Sequence, residues 1–366
     1  MSTFATIFTR FSSVHLTKDV GMIPMEVSQC SGFDKSLLIY KDKGENFYNP
    51  YEDNIILSPI SASSVLSYYM KLFFFVLIRK VTHINIYHMN KETFIFILMF
   101  KVLSRKKVYL KLDFDNRGLA KFITDTKNNK IKWVIKRTML SLVDLASIET
   151  NGGYTDLMKI WPNKKLRVVP NAVSPLTVSR SISPVKYNER DKVIIIVGRI
   201  GAFQKNHEMV VDALLQIRIN NGWKIKFVGP ISEEFKSKIY EIKKHPDADS
   251  IEFLGDQNRE AVFNLYSKSR FFLMTSRYEG FSLAMTEAAY FGNVIISTPV
   301  NAVEELTSNK QYGIVIPHND ANALSRCLEN IMADDSIYEQ QYESRLSYVR
   351  NSFNLRLKVE EILHEI

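Results

Sequence analysis

The feature that most constrains the fold of this chain is an alternation of short apolar segments with helix-like stretches. In the first half, segments rich in β-branched and aromatic residues predict strands at 4–9, 36–40, 54–57, 83–88, 107–112, 145–148 and 166–169. Helical periodicity predicts helices between them, at 21–31, 60–80, 91–104, 128–142 and 152–160. Strands that alternate with helices form a largely parallel sheet covered on both faces. The first half is therefore predicted to be a doubly wound α/β domain.

The alternation stops at residues 174–190, where Ser, Pro, Thr and Arg dominate, and then restarts. Strands are predicted at 193–197, 224–228, 251–254, 271–275, 294–297 and 313–316, and helices at 206–219, 233–244, 259–267, 283–291, 301–307 and 320–333. We predict an N-terminal domain over 1–173, a linker over 174–190, a C-terminal domain over 191–343, and a final amphipathic helix over 344–366 that packs back towards the first domain. Because such sheets bind ligands at the carboxyl ends of their strands, the two Rossmann-like domains are expected to face each other across a cleft.

The charge of the chain is unevenly distributed. Residues 1–173 carry 25 Lys and Arg against 14 Asp and Glu, whereas residues 174–366 carry 23 against 25, so the net charge of +9 divides into +11 and −2. This asymmetry indicates an anionic partner for the first half. No nucleic-acid-binding motif is present, so nucleic acid is not expected, and an anionic membrane surface suits the pattern better. A basic face that is merely solvated remains an equally good explanation.

The sequence also bears on the cellular compartment. Its two cysteines lie in opposite halves without metal-ligand spacing, which favours a reducing compartment. The first ten residues lack the pattern of a secretory signal. The most apolar stretch, 65–78, is shorter than the roughly 20 residues that a spanning helix needs. We therefore expect a cytoplasmic protein, with a peripheral position at the inner face of the cell membrane as a further expectation.

The densest chemical signal is the segment 276–287, Ser-Arg-Tyr-Glu-Gly-Phe-Ser-Leu-Ala-Met-Thr-Glu. A predicted strand delivers Glu279 into a loop, Gly280 permits a tight turn, and Ser282 is a suitable N-cap for the next helix. Free amides at the start of that helix would bind a diphosphate. Glu287, about one turn further, would accept hydrogen bonds from the two hydroxyls of a ribose.

A second signal lies at the first strand of the second domain. Val197-Gly198-Arg199 ends that strand, and Lys205-Asn206 opens the next helix after a short loop. A guanidinium and an ammonium placed there would converge on a diphosphate as a fork and a point charge. Arg199 and Lys205 are therefore candidate catalytic and donor-binding residues.

Two glutamates seven residues apart, within Tyr-Glu-Gly-Phe-Ser-Leu and before Glu-Ala, resemble the E-x7-E motif of family 4 retaining glycosyltransferases, which have the two-domain GT-B fold. The resemblance implies that Glu279 orients hydroxyls of the donor sugar, and that Arg199 and Lys205 neutralise the departing nucleoside diphosphate. It also implies that backbone near the ends of two further strands surrounds the nucleobase, and that a glycine loop near the N-terminus approaches the donor. The donor-binding residues implied in this way are Gly21, Arg199, Lys205, Gly229, Leu254, Glu279, Gly280, Phe281, Ser282, Leu283 and Glu287.

The first half matches the family less completely. Pro170-Asn171-Ala172-Val173 is similar to the family's Pro-Asn-Gly-Val hinge. Where the family often carries a histidine at the end of a strand, this sequence has Asp113, which we take as a candidate catalytic residue. Lys111 on the same strand and His88 at the end of another are candidates for the acceptor side.

The resemblance predicts a retaining transferase that moves a hexose or N-acetylhexosamine from a nucleotide diphosphate sugar, with UDP favoured, to a glycan or lipid-linked acceptor in surface polysaccharide or glycoconjugate synthesis. No metal or other cofactor is expected, because cationic side chains would neutralise the diphosphate. Three alternatives remain. Asp113 and Asp115 match the Asp-x-Asp of metal-dependent one-domain transferases. The chain could also be a non-catalytic nucleotide-sugar-binding protein or a basic nucleic-acid-binding module.

Overall fold

The computed structural model describes residues 2–87, 89–104, 106–178, 182 and 185–366. The chain divides into two compact units: the first comprises residues 1–177 and 354–366, and the second comprises residues 178–353. One boundary falls inside the predicted linker, and the other falls inside the predicted final helix.

The first unit is built on a parallel sheet of seven strands in the order β3-β2-β1-β4-β5-β6-β7. The strands are β1 (Phe4–Ile7), β2 (Ser36–Lys41), β3 (Ile55–Ile60), β4 (His83–Tyr87), β5 (Lys107–Leu112), β6 (Leu145–Ile148) and β7 (Leu166–Val168). The chain order reverses between β1 and β4, which are neighbours in register from Phe4 opposite His83 to Ile7 opposite Ile86. In doubly wound sheets this reversal marks the place where ligands bind.

The helices of this unit are α1 (Asp19–Val27), α2 (Val65–Ile78), α3 (Lys91–Ser104), α4 (Asn116–Asn128), α5 (Lys130–Leu142) and α6 (Asn151–Ile160). Strand β5 shows how the sheet is buried on both faces. Val108, Leu110 and Leu112 belong to the main core of the unit, whereas Tyr109, one residue out of phase, packs in a second cluster with Leu145. Within the described residues, no helix is both long and apolar enough to cross a membrane.

The second unit repeats the plan with six parallel strands in the order β10-β9-β8-β11-β12-β13. The strands are β8 (Asp191–Val197), β9 (Lys224–Val228), β10 (Ile251–Phe253), β11 (Ser269–Met274), β12 (Val294–Ser297) and β13 (Gly313–Val315). Its helices are α7 (His207–Leu214), α8 (Lys236–Ile242), α9 (Arg259–Lys268), α10 (Leu283–Tyr290), α11 (Val303–Leu306), α12 (Ala321–Ala333), α13 (Ser336–Gln340) and α14 (Tyr342–Ser352). Here the order reverses between β8 and β11.

The single helix predicted over 344–366 is in fact two. α14 ends in the second unit, and the last helix, α15 (Leu355–Glu365), belongs to the first. Asn354 separates them: its side chain caps α15, and it forms a parallel bridge with Val173. Ile362 of α15 completes the second cluster of the first unit, together with Tyr109 and Leu145.

Two further predictions for the first unit were wrong. Helix α4 was not predicted, because most of its surface is polar and its apolar face is short, with Leu119 and Phe122 buried. Gly21 was expected in a loop approaching the donor, but it lies inside α1. A Cβ on Gly21 would come within 2.4 Å of the Leu16 carbonyl oxygen, so the glycine is required by close packing of the α1 backbone.

Candidate functional site

Two loops meet at the carboxyl edge of the second sheet, where β8 and β11 lie side by side. The first, residues 198–206, follows β8, and the second, residues 275–282, follows β11. The Thr275 hydroxyl donates to the backbone oxygens of Lys205 and Asn206 at 3.1 and 2.9 Å. The Arg277 backbone amide donates to the Gln204 carbonyl at 2.8 Å. These bonds hold the two loops in fixed register.

The first loop is also braced from within. The Gly201 amide donates to Nδ1 of His207 at 3.1 Å, and Gly201 has a φ of +87° that favours glycine. His207 is buried, and this burial, helped by the charge of Lys205, lowers its pKa to about 3. The ring therefore stays neutral and can accept the hydrogen bond at physiological pH.

Glu279 is the centre of the site. Its Oε1 atom accepts from Lys205 Nζ at 2.7 Å and from the Ser276 hydroxyl at 2.6 Å. Its Oε2 atom accepts from Gln204 Nε2 at 3.1 Å. A buried carboxylate with three donors is held in one orientation, as a group that must position a ligand requires.

Arg199 joins the same network at its outer edge. It is exposed, and its Nη2 donates to Gln204 Oε1 at 3.2 Å. Gln204 thus connects Arg199 to Glu279. The two cations and the carboxylate that the sequence singled out do lie together.

The ends of neighbouring strands in this unit approach closely through glycines. The Gly229 Cα lies so near the backbone of Gly198 that a Cβ would stand 1.9 Å from the Gly198 carbonyl oxygen. The Gly229 amide donates to the Gly255 carbonyl at 2.7 Å, and the Leu254 amide donates to the Phe227 carbonyl at 2.8 Å. Gly229 and Leu254 therefore lie at the same sheet edge as Glu279.

Helix α10 begins where the second loop ends. Ser282 is its N-cap, and its hydroxyl accepts from the Met285 amide at 3.4 Å. Phe281 is buried with its ring 6.0 Å from that of Phe353, whereas Gly280 and Leu283 are half-buried. The helix start is therefore anchored on one side and accessible on the other.

Glu287 lies within α10 and is 8% exposed. Its Oε1 atom is 2.7 Å from Nη2 of Arg259, the first residue of α9. Burial raises the pKa of Glu287, and the charge of Arg259 opposes that rise. The carboxylate is thus buried beside a cation that the sequence analysis did not identify.

Lys111 of the first unit was expected to face the acceptor substrate, but its side chain is buried. It is 1% exposed, and its ammonium lies 2.7 Å from Glu149 Oε1, 2.8 Å from Asn171 Oδ1 and 3.4 Å from Asp19 Oδ2. Burial alone would lower the pKa of Lys111, but the surrounding carboxylates outweigh it and raise the pKa. The ammonium donates hydrogen bonds to Glu149 and Asn171 and forms an ion pair with Asp19, so Lys111 connects segments at the carboxyl edge of the sheet.

The other candidates of the first unit differ in their settings. Asp113 is exposed just after β5. Asp115 caps α4, accepting from the Gly118 amide at 2.6 Å, which gives this carboxylate a local structural role. Among the described residues, no group of three or more His, Cys, Asp or Glu side chains is arranged to hold a metal. His88 lies outside the described residues.

Sequence reasoning missed Gln204, Ser276 and Arg259. Ser276 lies three residues before Glu279, and Gln204 lies one residue before Lys205. Their closeness in sequence to recognised residues could have identified both as candidates. Arg259 is 28 positions before Glu287, and no local pattern connects the two residues.

The part of the chain that carries this site is similar to a known family. Residues 179–350 match the family described as Glycosyl transferases group 1. The chain is 22% identical over 218 residues, 57% of each chain, to the N-acetylgalactosamine-N,N'-diacetylbacillosaminyl-diphospho-undecaprenol 4-alpha-N-acetylgalactosaminyltransferase of Campylobacter jejuni. It is 23% identical over 175 residues to the capsular polysaccharide biosynthesis glycosyltransferase CapM of Staphylococcus aureus, covering 46% of this chain and 44% of CapM. The chain thus spans about half of the length of these curated relatives.

Among solved structures, Anabaena HepE in complex with UDP is similar with a TM-score of 0.73 and 12% identity, over 100% of this chain and 99% of HepE. This likeness and the two doubly wound units define the fold as GT-B. The match to the glycosyl transferases group 1 family covers nearly all of the second unit, which carries Arg199, Lys205, Glu279 and Glu287.

Proposed function

We propose that the chain is a retaining glycosyltransferase. It would transfer a hexose or N-acetylhexosamine from a nucleotide diphosphate sugar, with a UDP-sugar favoured, to a glycan or lipid-linked acceptor in surface polysaccharide or glycoconjugate synthesis. The Campylobacter relative's name supports a lipid-linked acceptor, CapM's name supports polysaccharide synthesis, and the HepE complex supports UDP as the nucleotide.

The observation that carries the proposal is the convergence of Arg199, Lys205 and Glu279 at the carboxyl edge of the second sheet. During transfer the bond from the anomeric carbon to the diphosphate oxygen breaks, and its electron pair leaves with the phosphate. Arg199, Lys205 and the amides at the start of α10 would stabilise that charge, which is usually the largest catalytic contribution. The acceptor oxygen would form the new bond on the same face and pass its proton to the departing phosphate.

Glu279 and Glu287 have separate roles in this proposal. Glu279, aligned by Ser276 and Gln204, would accept hydrogen bonds from donor-sugar hydroxyls. Glu287 would accept hydrogen bonds from the ribose. Asp113, exposed at the end of β5, would steady the reacting centre from the acceptor side.

A panel of UDP- and GDP-sugars tests the function. We expect one of them to raise the melting temperature of the protein and to release its nucleoside diphosphate when a lipid-linked or glycan acceptor mixture is added. The anomeric configuration of the product, read by NMR, should match that of the donor. Stabilisation without release by any acceptor would support a nucleotide-sugar-binding protein instead, and an inverted product would exclude the retaining mechanism.

We further propose that transfer needs no metal, since two cations and helix amides are available to the diphosphate. Activity should therefore survive EDTA. Complete loss that manganese restores would favour the metal-dependent alternative, in which Asp113 and Asp115 bind the ion.

We also place the protein in the cytoplasm, held peripherally at the inner face of the cell membrane. The supporting surface is formed by α2 and α3 of the first unit, which are in contact. α2 packs Tyr68, Leu72, Phe73 and Val76 into the core, yet its outer side is also apolar. Large exposed side chains on the two helices are Val65, Leu66, Met70, Phe74, Leu77, Ile78, Ile95, Leu98, Val102 and Leu103.

The charge of this region favours an anionic lipid surface over a second copy of the chain as the partner. Residues 61–110 contain eight Lys and Arg and one acidic residue, Glu92. A second copy of the chain would bring two such basic surfaces together, which like-charge repulsion disfavours. An anionic lipid surface offers both negative headgroups and an apolar layer in which exposed side chains of interfacial helices are buried.

A further inference from the structure

Arg259 occupies an electrostatically unfavourable position for a cation. It is the first residue of α9, at the end of the helix where the dipole is positive and where acidic side chains are preferred. Its guanidinium nevertheless reaches across to α10 and approaches Glu287 Oε1 at 2.7 Å. Its planar group also lies over the Phe263 ring, 4.7 Å from the centroid, which limits its freedom.

The contact is not needed to hold α9 against α10. Phe263 of α9 packs on Phe291, the residue that ends α10, with ring centroids 5.0 Å apart. Tyr266 of α9 packs on the same ring at 6.3 Å. These buried aromatic contacts already join the two helices, so the ion pair is available for another purpose.

Glu287 needs a cation in order to act as an acceptor. Only an ionised carboxylate accepts two hydroxyl hydrogen bonds at full strength, and burial disfavours ionisation. The described titratable groups that act on Glu287 are Arg259 and Tyr266, both on α9. Arg259 alone supplies positive charge. Its Nη2 atom lies 2.7 Å from Oε1 of Glu287, so the two side chains are in direct contact.

We propose that Arg259 is a positioning residue of the donor site: it keeps Glu287 ionised and fixes its orientation for recognition of the ribose diol of the nucleotide. This inference rests on the proposed function. It adds to that function a residue outside the E-x7-E segment, brought in from the neighbouring helix.

The test measures nucleotide affinity of the full chain by calorimetry, with UDP and GDP as probes, and with their 2′-deoxy forms. Arg259→Ala should weaken binding of the better-bound ribonucleotide roughly tenfold at pH 7, the size of one good charged hydrogen bond. Arg259→Lys should restore part of that loss. Because the 2′-deoxy nucleotide lacks one of the hydroxyls, its binding should change much less in Arg259→Ala.

Two further measurements separate positioning from mere stabilisation. The terminal phosphate of the nucleotide also ionises at about pH 6, so the variants are compared by the steepness of their pH dependence. The affinity of Arg259→Ala should rise more steeply with pH than that of Glu287→Gln, because Glu287 then ionises without its cation. Adding Arg259→Ala to Glu287→Gln should cost little more than Glu287→Gln alone. The control is Arg270→Ala, which removes an equally short, mostly buried ion pair with Asp335 in the same unit. It should lower the melting temperature but leave nucleotide affinity unchanged.

Unchanged or tighter ribonucleotide binding by Arg259→Ala, or equal losses for ribose and deoxyribose forms, would overturn the inference. If Arg259→Ala does not fold, Arg259→Gln is measured in its place, since it keeps a polar side chain of helix-compatible shape. Failure of the wild-type protein to bind UDP, GDP or any donor in the panel is a different result, because it overturns the proposed function itself.

Discussion

Lys205 and Glu279 form an ion pair, so a diphosphate bound beside Lys205 would share its ammonium with Glu279. The ammonium can hold Glu279 at 2.7 Å and still direct its other protons to phosphate oxygens. Arg199 is exposed and donates to Gln204 through Nη2, and its guanidinium has further N–H groups for phosphate oxygens. The site therefore combines a carboxylate held in one orientation with two cations that have further N–H groups to donate to a ligand.

The first prediction concerns those two cations. Arg199→Ala and Lys205→Ala should each reduce turnover by about 100-fold or more, as expected for loss of a group that stabilises developing charge. Arg199 is exposed, so the melting temperature of Arg199→Ala should change little. Lys205→Ala removes the ion pair of the buried Glu279 and should lower the melting temperature, so its turnover is compared per folded molecule. Turnover with the best donor and thermal unfolding are measured on the same samples. A variant that melts much earlier while its folded fraction turns over normally would show a structural role only.

A second prediction at this scale concerns Glu149, which is 2% exposed beside Lys111. Burial raises its pKa from 4.5 to about 7, with the charge of Lys111 limiting the rise. Between these values the folded protein holds a proton that the unfolded chain has released. The stability due to that proton is therefore lost as pH rises towards 7, by about 3 kcal/mol.

Glu149→Gln removes this titration. The melting temperature of the wild-type protein should fall more steeply from pH 4.5 to 7 than that of Glu149→Gln, and the two curves should run parallel above that range. Glu343→Gln, which alters an exposed glutamate of α14, should follow the wild-type curve. Parallel curves throughout for wild type and Glu149→Gln would show that Glu149 stays ionised in its ion pair.

At the scale of elements, the geometry of the site depends on how two loops are joined. Thr275 directly follows β11. Its hydroxyl donates to backbone oxygens of the first loop, so this side chain connects the ends of two neighbouring strands. Thr275→Val keeps the shape and removes this donor. We expect a loss of about 1–2 kcal/mol in stability and a clearly weaker donor affinity, because Lys205 is no longer held in place.

The matched control is Thr307→Val. Thr307 is also fully buried in the second unit, but its hydroxyl donates to the Val303 carbonyl within its own helix. A similar loss of stability with unchanged donor affinity is expected. If both variants lose donor affinity to the same extent, Thr275 has no special connection to the site.

The elements also show where sequence reasoning succeeded and where it stopped. Strands such as Lys107–Leu112 and Lys224–Val228 were predicted to the residue because β-branched, aromatic and other apolar residues predominate in them between polar boundaries. Helix α4 was missed because its apolar face is short and its sequence is polar. Glu279 and Lys205 were each identified from motif positions, but the ion pair between them was not predicted. Arg259 became visible only once α9 and α10 were packed together.

For the whole molecule, the question is what the apolar and basic surface of α2 and α3 contacts. Leu66, Met70, Phe74 and Ile78 recur every four residues along the outer side of α2, with Leu66 and Ile78 74% and 78% exposed. Contiguous apolar patches of this kind on a soluble surface usually mark interaction sites. Each helix has 14 residues, about 21 Å at the rise of an α-helix, which suits lying along a membrane surface.

The last prediction is therefore that the full chain sediments with vesicles of phosphatidylcholine and phosphatidylglycerol but not with phosphatidylcholine alone, and that rising salt releases it. Lys91→Glu, one turn before exposed Ile95, should weaken binding about tenfold, since each lysine near an anionic surface contributes about 1 kcal/mol and the new glutamate is repelled. Leu66→Gln with Phe74→Gln should weaken binding without lowering UDP affinity.

The controls are Lys243→Glu and Ile337→Gln, exposed residues of the second unit, which should bind vesicles as the wild type does. If the protein binds UDP normally but does not sediment with vesicles, the membrane surface is removed from the proposal. The proposed transferase site is unaffected by that result. Equal losses in the control variants would show that the chain is attracted by its overall charge, with no dedicated face.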